Sequence, residues 1–272
     1  LELNIKVITP NKVRDNKDLI QDLKKLKADI FIVVAFGQIL TKDILEIPPY
    51  GCWNSHCSLL PKWRGAAPIQ WSIINGDKET GVGIMFMEEG LDTGPIIIQE
   101  KTKIYDNENS LDLSRRLSML SSDLLIKALN KIKIIGKKII TEEFMYSYLT
   151  KQDSTGYKIS YARMINKEDN KIDWTNRAIS ISRKIYGLYP NAYSNWKGKR
   201  IKIQSCIIKK SDDTNNMLKP GTIVKNISGE GILVKAQDKL ILINSIQIEG
   251  KRSSNGLVLS QQMGNCDGDI LE

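Results

Sequence analysis

Two rhythms of apolar and polar positions follow one another along the chain. The first alternates short apolar runs with amphipathic stretches: NIKVI, then DLIQDLKKLKA, then the continuous run DIFIVVAF, which reads as a buried strand. That alternation predicts an α/β domain with a parallel sheet. Pro68 stands where a first helical turn tolerates proline and Gly76 where a helix ends, so PIQWSIIN between them reads as a helix. GVGIMFM and PIIIQEKTKI follow as strands. A longer helix starts near Ser110, with Leu113, Leu117, Leu120, Leu124 and Leu125 at helical spacing.

The second rhythm begins beyond about residue 140. A polar, turn-rich stretch, TKQDSTGYKIS, reads as a connection between domains. After the helix-like NRAISISRKIYGL come the β-rich runs KRIKIQSCIIKK, GTIVKN, GILVKAQ and KLILINSIQI, separated by Gly, Asn and Asp turns. This predicts a doubly wound, Rossmann-like α/β domain over residues 1–140, a linker over 141–157, and a small β-barrel over 158–272, for which an oligonucleotide-binding (OB) fold is one candidate. The chain opens without methionine and its first strand leads at once into a connecting helix, so a front part of the α/β domain is expected before Leu1.

Charge sharpens this division. Residues 1–150 carry 20 Lys+Arg against 19 Asp+Glu and residues 151–272 carry 20 against 12, which puts +8 of the net +9 in the second part. A neutral first part with a basic second part suggests chemistry in one and a grip on a polyanion in the other, against the plainer reading of a lysine-rich solvated surface. No run approaches the apolar length of a membrane span, and the first residues lack the flank of a signal peptide, so a cytoplasmic protein is expected. The four cysteines are irregularly spaced and the chain has one histidine, which argues against a disulfide framework or a structural zinc site.

The chemistry concentrates in residues 50–94. GCWNSH reads as a strand, in which side chains two apart share a face, so Asn54 and His56 point together and Cys57 points away. That parity weakens a Cys-His dyad, and zinc on Cys52 and His56 lacks further ligands. An amide donor beside an imidazole suits acyl transfer to an amine, where an oxyanion is stabilised and a proton managed. Pro61 and Gly65 after the strand place the pair at the sheet's C-terminal edge, where α/β enzymes bind ligands. Asp92, in EEGLDTGP, is either a turn residue or a carboxylate that raises the pKa of His56 and orients its ring. A lone DTG also occurs in aspartic proteases, but one such loop in an α/β pattern does not fit them. Neither a glycine-rich phosphate loop nor a dinucleotide fingerprint is present, so ATP and NAD are not expected.

These residues carry a resemblance. The pattern N-x-H-x-S-L-L-P, here Asn54, His56 and residues 58–61, followed by L-D-T-G at residues 91–94, is similar to the signature of enzymes that use 10-formyltetrahydrofolate. The intervening KWRGAAPIQWSIINGDKETGVGIM resembles methionyl-tRNA formyltransferases, as do AFGQIL (residues 35–40), IDW (172–174), LYP (188–190) and KPGTI (219–223). The resemblance implies formyl transfer from 10-formyltetrahydrofolate to initiator methionyl-tRNA without a metal. Asn54 and His56 would hold the oxyanion, and Asp92 would tune His56 and help move the amine's proton. Phe36, Gly37, Gln38, Ile39 and Leu40, with Ser58, Leu59, Leu60 and Pro61, would flank the folate, the alternative for Leu59 and Leu60 being core packing. Arg64 is a candidate contact to the tRNA acceptor end or a surface ion pair.

Lys197, Lys199, Arg200, Lys202, Lys209 and Lys210 cluster around one predicted strand, interleaved with Trp196, as phosphate contacts with some stacking would. A monomer is expected. The family's first strand, its glycine-rich turn and a basic loop would precede Leu1. Two other readings remain open: a sugar-nucleotide N-formyltransferase, which shares the triad but ignores RNA, and a non-enzymatic remnant that binds tRNA and transfers nothing. The basic second part speaks against the first and the intact triad against the second.

Overall fold

A computed structural model describes residues 5–135, 149–211 and 217–272. The chain divides into two compact units that interleave in sequence. One comprises Leu1–Ala66, Gly81–Thr102 and Leu117–Ala162; the other comprises Ala67–Thr80, Lys103–Arg116 and Arg163–Glu272. Within the interval read as a linker, residues 141–148 lie outside the described residues, and residues 149–157 belong to the first unit.

The first unit is built on a four-stranded sheet in the order β1-β2-β4-β5, with β1 (Phe31–Val33), β2 (Cys52–His56), β4 (Glu79–Phe86) and β5 (Ile96–Lys103). A short strand β3 (Arg64–Gly65) pairs in parallel with β6 (Tyr161–Ala162). The expected parallel sheet is corrected to a mixed one. β1 and β2 run parallel, but β4 runs antiparallel to β2, with His56 opposite Gly83 and Trp53 opposite Phe86. Apolar rhythm carries no information on a strand's direction, which depends on which edge the connection returns to, and here β4 starts at the edge where β2 ends.

DIFIVVAF is also not a buried strand. Only Phe31–Val33 join the ladder, and Ile32, Val34 and Phe36 are 40, 53 and 43 % exposed. A strand buries both faces only when layers cover both and strands flank both edges, whereas among the described residues β1 ends the sheet path. NIKVI forms no strand among its described residues either; Ile5, Val7 and Ile8 remain exposed.

The helices follow their sequence signals. α1 (Lys17–Lys25) is capped by the Asn16 side chain, which accepts from Leu19 N. The short α2 (Lys42–Leu45) buries Ile44 and Leu45. α3 (Pro68–Asn75) has proline in its first turn and ends on Gly76 at φ 77°. α4 (Ser110–Ile135) fully buries Leu113, Leu117 and Leu124 at helical spacing. Ser121 of α4 meets Ser55 of β2 through hydroxyls 2.6 Å apart, which pairs two buried polar groups at the helix–sheet contact.

In the second unit α5 (Ala178–Gly187) packs on α3 and on β8, and Gly187 lies where a side chain would strike Ile74. The antiparallel sheet runs β7-β8-β11-β10-β9, with β12 beside β11. Its strands are β7 (Tyr193–Trp196), β8 (Lys199–Lys209), β9 (Ile223–Ile227), β10 (Gly231–Lys235), β11 (Leu240–Ile248) and β12 (Ser254–Asn255). α6 (Gly256–Met263) follows β12 and packs on β10 and β11.

The expected barrel is not closed among the described residues, because the end strands β7 and β9 do not pair with each other. Residues 268–272 hydrogen-bond to both instead. Asn195 exchanges bonds of 2.8 and 2.9 Å with Glu272, and Ile223 N donates to the Asp269 carbonyl at 2.8 Å. Backbone groups at both sheet ends are thereby satisfied without strand closure.

Candidate active site

β1 and β2 are parallel neighbours with Val33 opposite Asn54, so the loops after both strands emerge at one edge of the sheet. From β2 this edge receives Asn54 and His56; from β1 it receives the loop of Phe36, Gly37, Gln38, Ile39 and Leu40. That loop is open: Phe36 is 43 % and Ile39 77 % exposed, while the Gln38 side chain is engaged in accepting a bond from Val13 N at 2.9 Å.

His56 is buried between two oxygens. Its Nε2 lies 2.9 Å from the Trp63 carbonyl, and its Nδ1 lies 3.6 Å from Asp92 Oδ2. A carbonyl only accepts, so Nε2 carries the proton in the neutral ring, and the Nδ1 lone pair faces the carboxylate. That contact becomes attractive once Nδ1 is protonated. Burial is the largest influence on the ring and holds its pKa below 6.5, while the Asp92 charge and the Trp63 carbonyl pull the other way. Asp92 therefore acts in the expected direction, but desolvation outweighs it. Asn54 is less buried than the rest of β2, and among the described residues its amide has no hydrogen-bond partner. It remains available as a donor.

Asp92 reaches this edge by a path the sequence does not disclose. The loop after β4 leaves the sheet where Phe86 pairs with Trp53, at the start of β2, and folds back to the His56 ring. Its L-D-T-G ends in a glycine for a steric reason: a Cβ on Gly94 would stand 1.8 Å from the Phe86 carbonyl oxygen. Asp92 itself sits at φ 50°, a conformation Asp tolerates better than most residues. Its Oδ2 accepts from Gly65 N at 2.7 Å, and Gly65, at φ 121°, has no room for a side chain beside the Ala162 carbonyl.

Several sequence-assigned residues are placed differently. Ser58 is fully buried and donates to the Lys62 carbonyl at 2.6 Å, tying the turn after β2. Leu60 packs with Met85 and Ile96, and Leu59 is 3 % exposed, so both are core residues. Pro61 follows them with its carbonyl accepting from Ser160 N. Arg64, expected to lie at the surface, is 8 % exposed. Its Nε and Nη2 donate to Gln152 Oε1 at 3.0 and 2.8 Å. Gln152 is 4 % exposed and donates to the carbonyls of Asp92 and Gly94. Sequence reading missed this residue because it lies in a polar stretch that reads as linker. Cys57 is partly buried, which raises its thiol pKa, away from the thiolate a nucleophile needs.

The basic residues of the second unit do not converge on one point. Lys197 is paired with Asp269 at 2.8 Å, and the Trp196 indole donates to the same carboxylate at 2.9 Å. Lys199 is exposed, Arg200 stacks 4.5 Å from the Tyr193 ring centre, and Lys202 donates to Asn191. Lys209 stands at the other end of β8, on the order of 30 Å away at the rise of an extended strand. No group of three potential metal-ligating side chains occurs among the described residues, and no helix of theirs is long and apolar enough to cross a membrane.

Residues 3–129 match the formyl transferase family model, and residues 164–262 match the model of the formyl transferase C-terminal domain. A methionyl-tRNA formyltransferase of Prochlorococcus marinus strain MIT 9215 is 49 % identical over 276 residues, covering 98 % of this chain and 82 % of that protein. One from Synechococcus sp. strain WH7803 is 43 % identical over 285 residues, covering 99 and 83 %.

Among solved structures, the fold is shared with HypX from Aquifex aeolicus in complex with tetrahydrofolic acid (TM-score 0.65, 17 % identity). That match covers 93 % of this chain but 42 % of HypX. It is also shared with the N-formyltransferase of Helicobacter canadensis in complex with folinic acid and dTDP-3-aminofucose (TM-score 0.61, 22 % identity, covering 88 and 78 %). Identity to the curated relatives across nearly the whole length, joined to an Asn-His-Asp site at a sheet edge, places the chain in the methionyl-tRNA formyltransferase family.

Proposed function

We propose that the family's reaction, transfer of the formyl group of 10-formyltetrahydrofolate to the amine of initiator methionyl-tRNA, is carried in this chain by Asn54, His56 and Asp92. The donor supplies an already activated formyl group, so positioning and electrostatics suffice and no metal is required. In the reaction the amine nitrogen bonds to the formyl carbon, the bond from that carbon to the folate nitrogen breaks, and the proton lost by the amine ends on that nitrogen.

The Asn54 amide, uncommitted among the described residues, donates to the carbonyl oxygen as negative charge builds there. His56 is held neutral by burial and accepts the amine's proton at Nδ1, where the Asp92 carboxylate 3.6 Å away stabilises the cation formed. The single observation carrying this reading is the buried His56–Asp92 pair, with His56 on the same strand face as an amide that has no partner among the described residues. The residue chemistry fits the donor as well: the exposed apolar side chains of Phe36 and Ile39 offer a surface for a pterin ring beside the polar pair. Gly37 and Leu40 lend backbone to that surface, and residues 58–61 act by holding the turn rather than by touching folate.

The second unit is read as an OB-like tRNA-binding module, with Lys199, Arg200 and Lys202 as its phosphate contacts and the other basic residues more distant. A cytoplasmic monomer completes the reading. The test is transfer of labelled formyl from 10-formyltetrahydrofolate to initiator methionyl-tRNA, with elongator methionyl-tRNA and an amino-sugar nucleotide as control acceptors. Label on the initiator alone is expected. Label on the sugar nucleotide in preference to tRNA overturns the assignment.

A further inference from the structure

Two residues that touch neither His56 nor any substrate position in this reading are buried behind the aspartate loop: Gln152 donates to it, and Arg64 donates to Gln152. The Gln152 amide has two donors and two acceptor sites, and all four are used. Nε2 donates to the carbonyl of Asp92 at 2.8 Å and to that of Gly94 at 2.7 Å, while Oε1 accepts twice from Arg64. Only this orientation of the amide works, since the reverse would set its oxygen against two carbonyls and its NH2 against a guanidinium.

Gln152 is fixed from behind. Thr150, two residues earlier, exchanges two backbone bonds of 2.8 Å with Ile96 on β5. Arg64 is fixed by pairing with β6. β3 thus reaches Asp92 from two directions: Gly65 N holds its carboxylate directly, and Arg64 holds its backbone through Gln152.

We infer that Gln152, anchored by Arg64, is a positioning residue for formyl transfer: it locks the left-handed turn at Asp92 so that the carboxylate faces His56. This rests on the reading of His56 and Asp92 as the proton-handling pair. The carboxylate stands 3.6 Å from the ring and the turn is one that an L side chain leaves readily, so releasing two carbonyls should let it swing away. Among the described residues Asp92 supplies the charge that His56 feels, so its displacement is directly legible in the titration of that ring.

His56 is the only histidine in the chain, so its ring signals can be followed by NMR without assignment in the full-length protein. The variants are Gln152→Met, which keeps length and loses every hydrogen bond, Asp92→Asn, and the two combined. Gln152→Met is expected to lower the His56 pKa in the same direction as Asp92→Asn, and to add nothing further when Asp92 is already Asn. In transfer assays the same variant lowers kcat on the order of 10–100-fold with KM for both substrates little changed, as a misplaced group does.

A His56 pKa left unmoved by Gln152→Met overturns the proposal. So does an equal shift in the Asp92→Asn background, since the effect would then not pass through the carboxylate. Should Gln152→Met fail to fold, Arg64→Lys, which keeps the cation but loses the fork, gives the same readout with a smaller shift expected. The titration needs no substrate, so an inactive wild-type chain would sink the functional reading while leaving this comparison intact.

Discussion

Leu60 separates a ligand-contact reading of the S-L-L-P motif from a structural one. Its side chain is fully buried with Met85 and Ile96, themselves 1 and 3 % exposed. Leu60→Ala removes three carbons from this cluster, each costing about 0.8 kcal/mol in lost burial. The neighbours are on β4 and β5 and cannot close the gap fully, so a cavity term adds to that and brings the expected loss to about 3–4 kcal/mol. For a unit of this size the midpoint of thermal unfolding should fall on the order of 10 °C. The assay is calorimetry or circular dichroism on the variant, paired with transfer kinetics well below the new midpoint. There KM for the folate donor should stay within about twofold of the original. A midpoint lowered by less than about 2 °C together with a tenfold rise in folate KM would refute the core assignment and restore Leu60 as a ligand contact.

Two further expectations concern charge. His56 has a folded pKa below its ordinary value of 6.5, so the folded state favours the neutral ring. The stability this contributes is fully present above pH 6.5 and lost as pH falls through the lower folded pKa, and the acid limb of kcat/KM should likewise lie below 6.5. Denaturant titrations of the wild type and His56→Gln from pH 8 to 5 should show an acid-dependent difference; an acid limb above 6.5 would contradict the assignment. In the second unit, Lys199→Gln, Arg200→Gln and Lys202→Gln should each reduce the slope of log affinity for tRNA against log salt by about one. Lys197→Gln should change it less, because Asp269 already neutralises that ammonium; equal effects at all four positions would contradict the structure.

Much of this protein is legible from the chain alone because local rules decide it. The helix of α3 is written in Pro68 and Gly76, the strands of the second unit in their Gly, Asn and Asp turns, and the shared face of Asn54 and His56 in a period of two. The candidate catalytic residues are likewise named by a short pattern whose members are close in sequence or lie in one loop.

What the sequence leaves undetermined depends on contacts between distant segments. The direction of β4, the half-exposed state of β1 and the strand order of the second unit are set by which edges meet, and apolar rhythm is blind to that. Arg64 has the composition of a surface residue and Gln152 that of a linker. They become buried partners only because β6 brings residues 150–162 against β3, 88 positions apart for the pair itself. Tertiary packing likewise decides the state of His56: the carboxylate that raises its pKa is visible in the sequence, but the burial that outweighs it exists only in the folded chain.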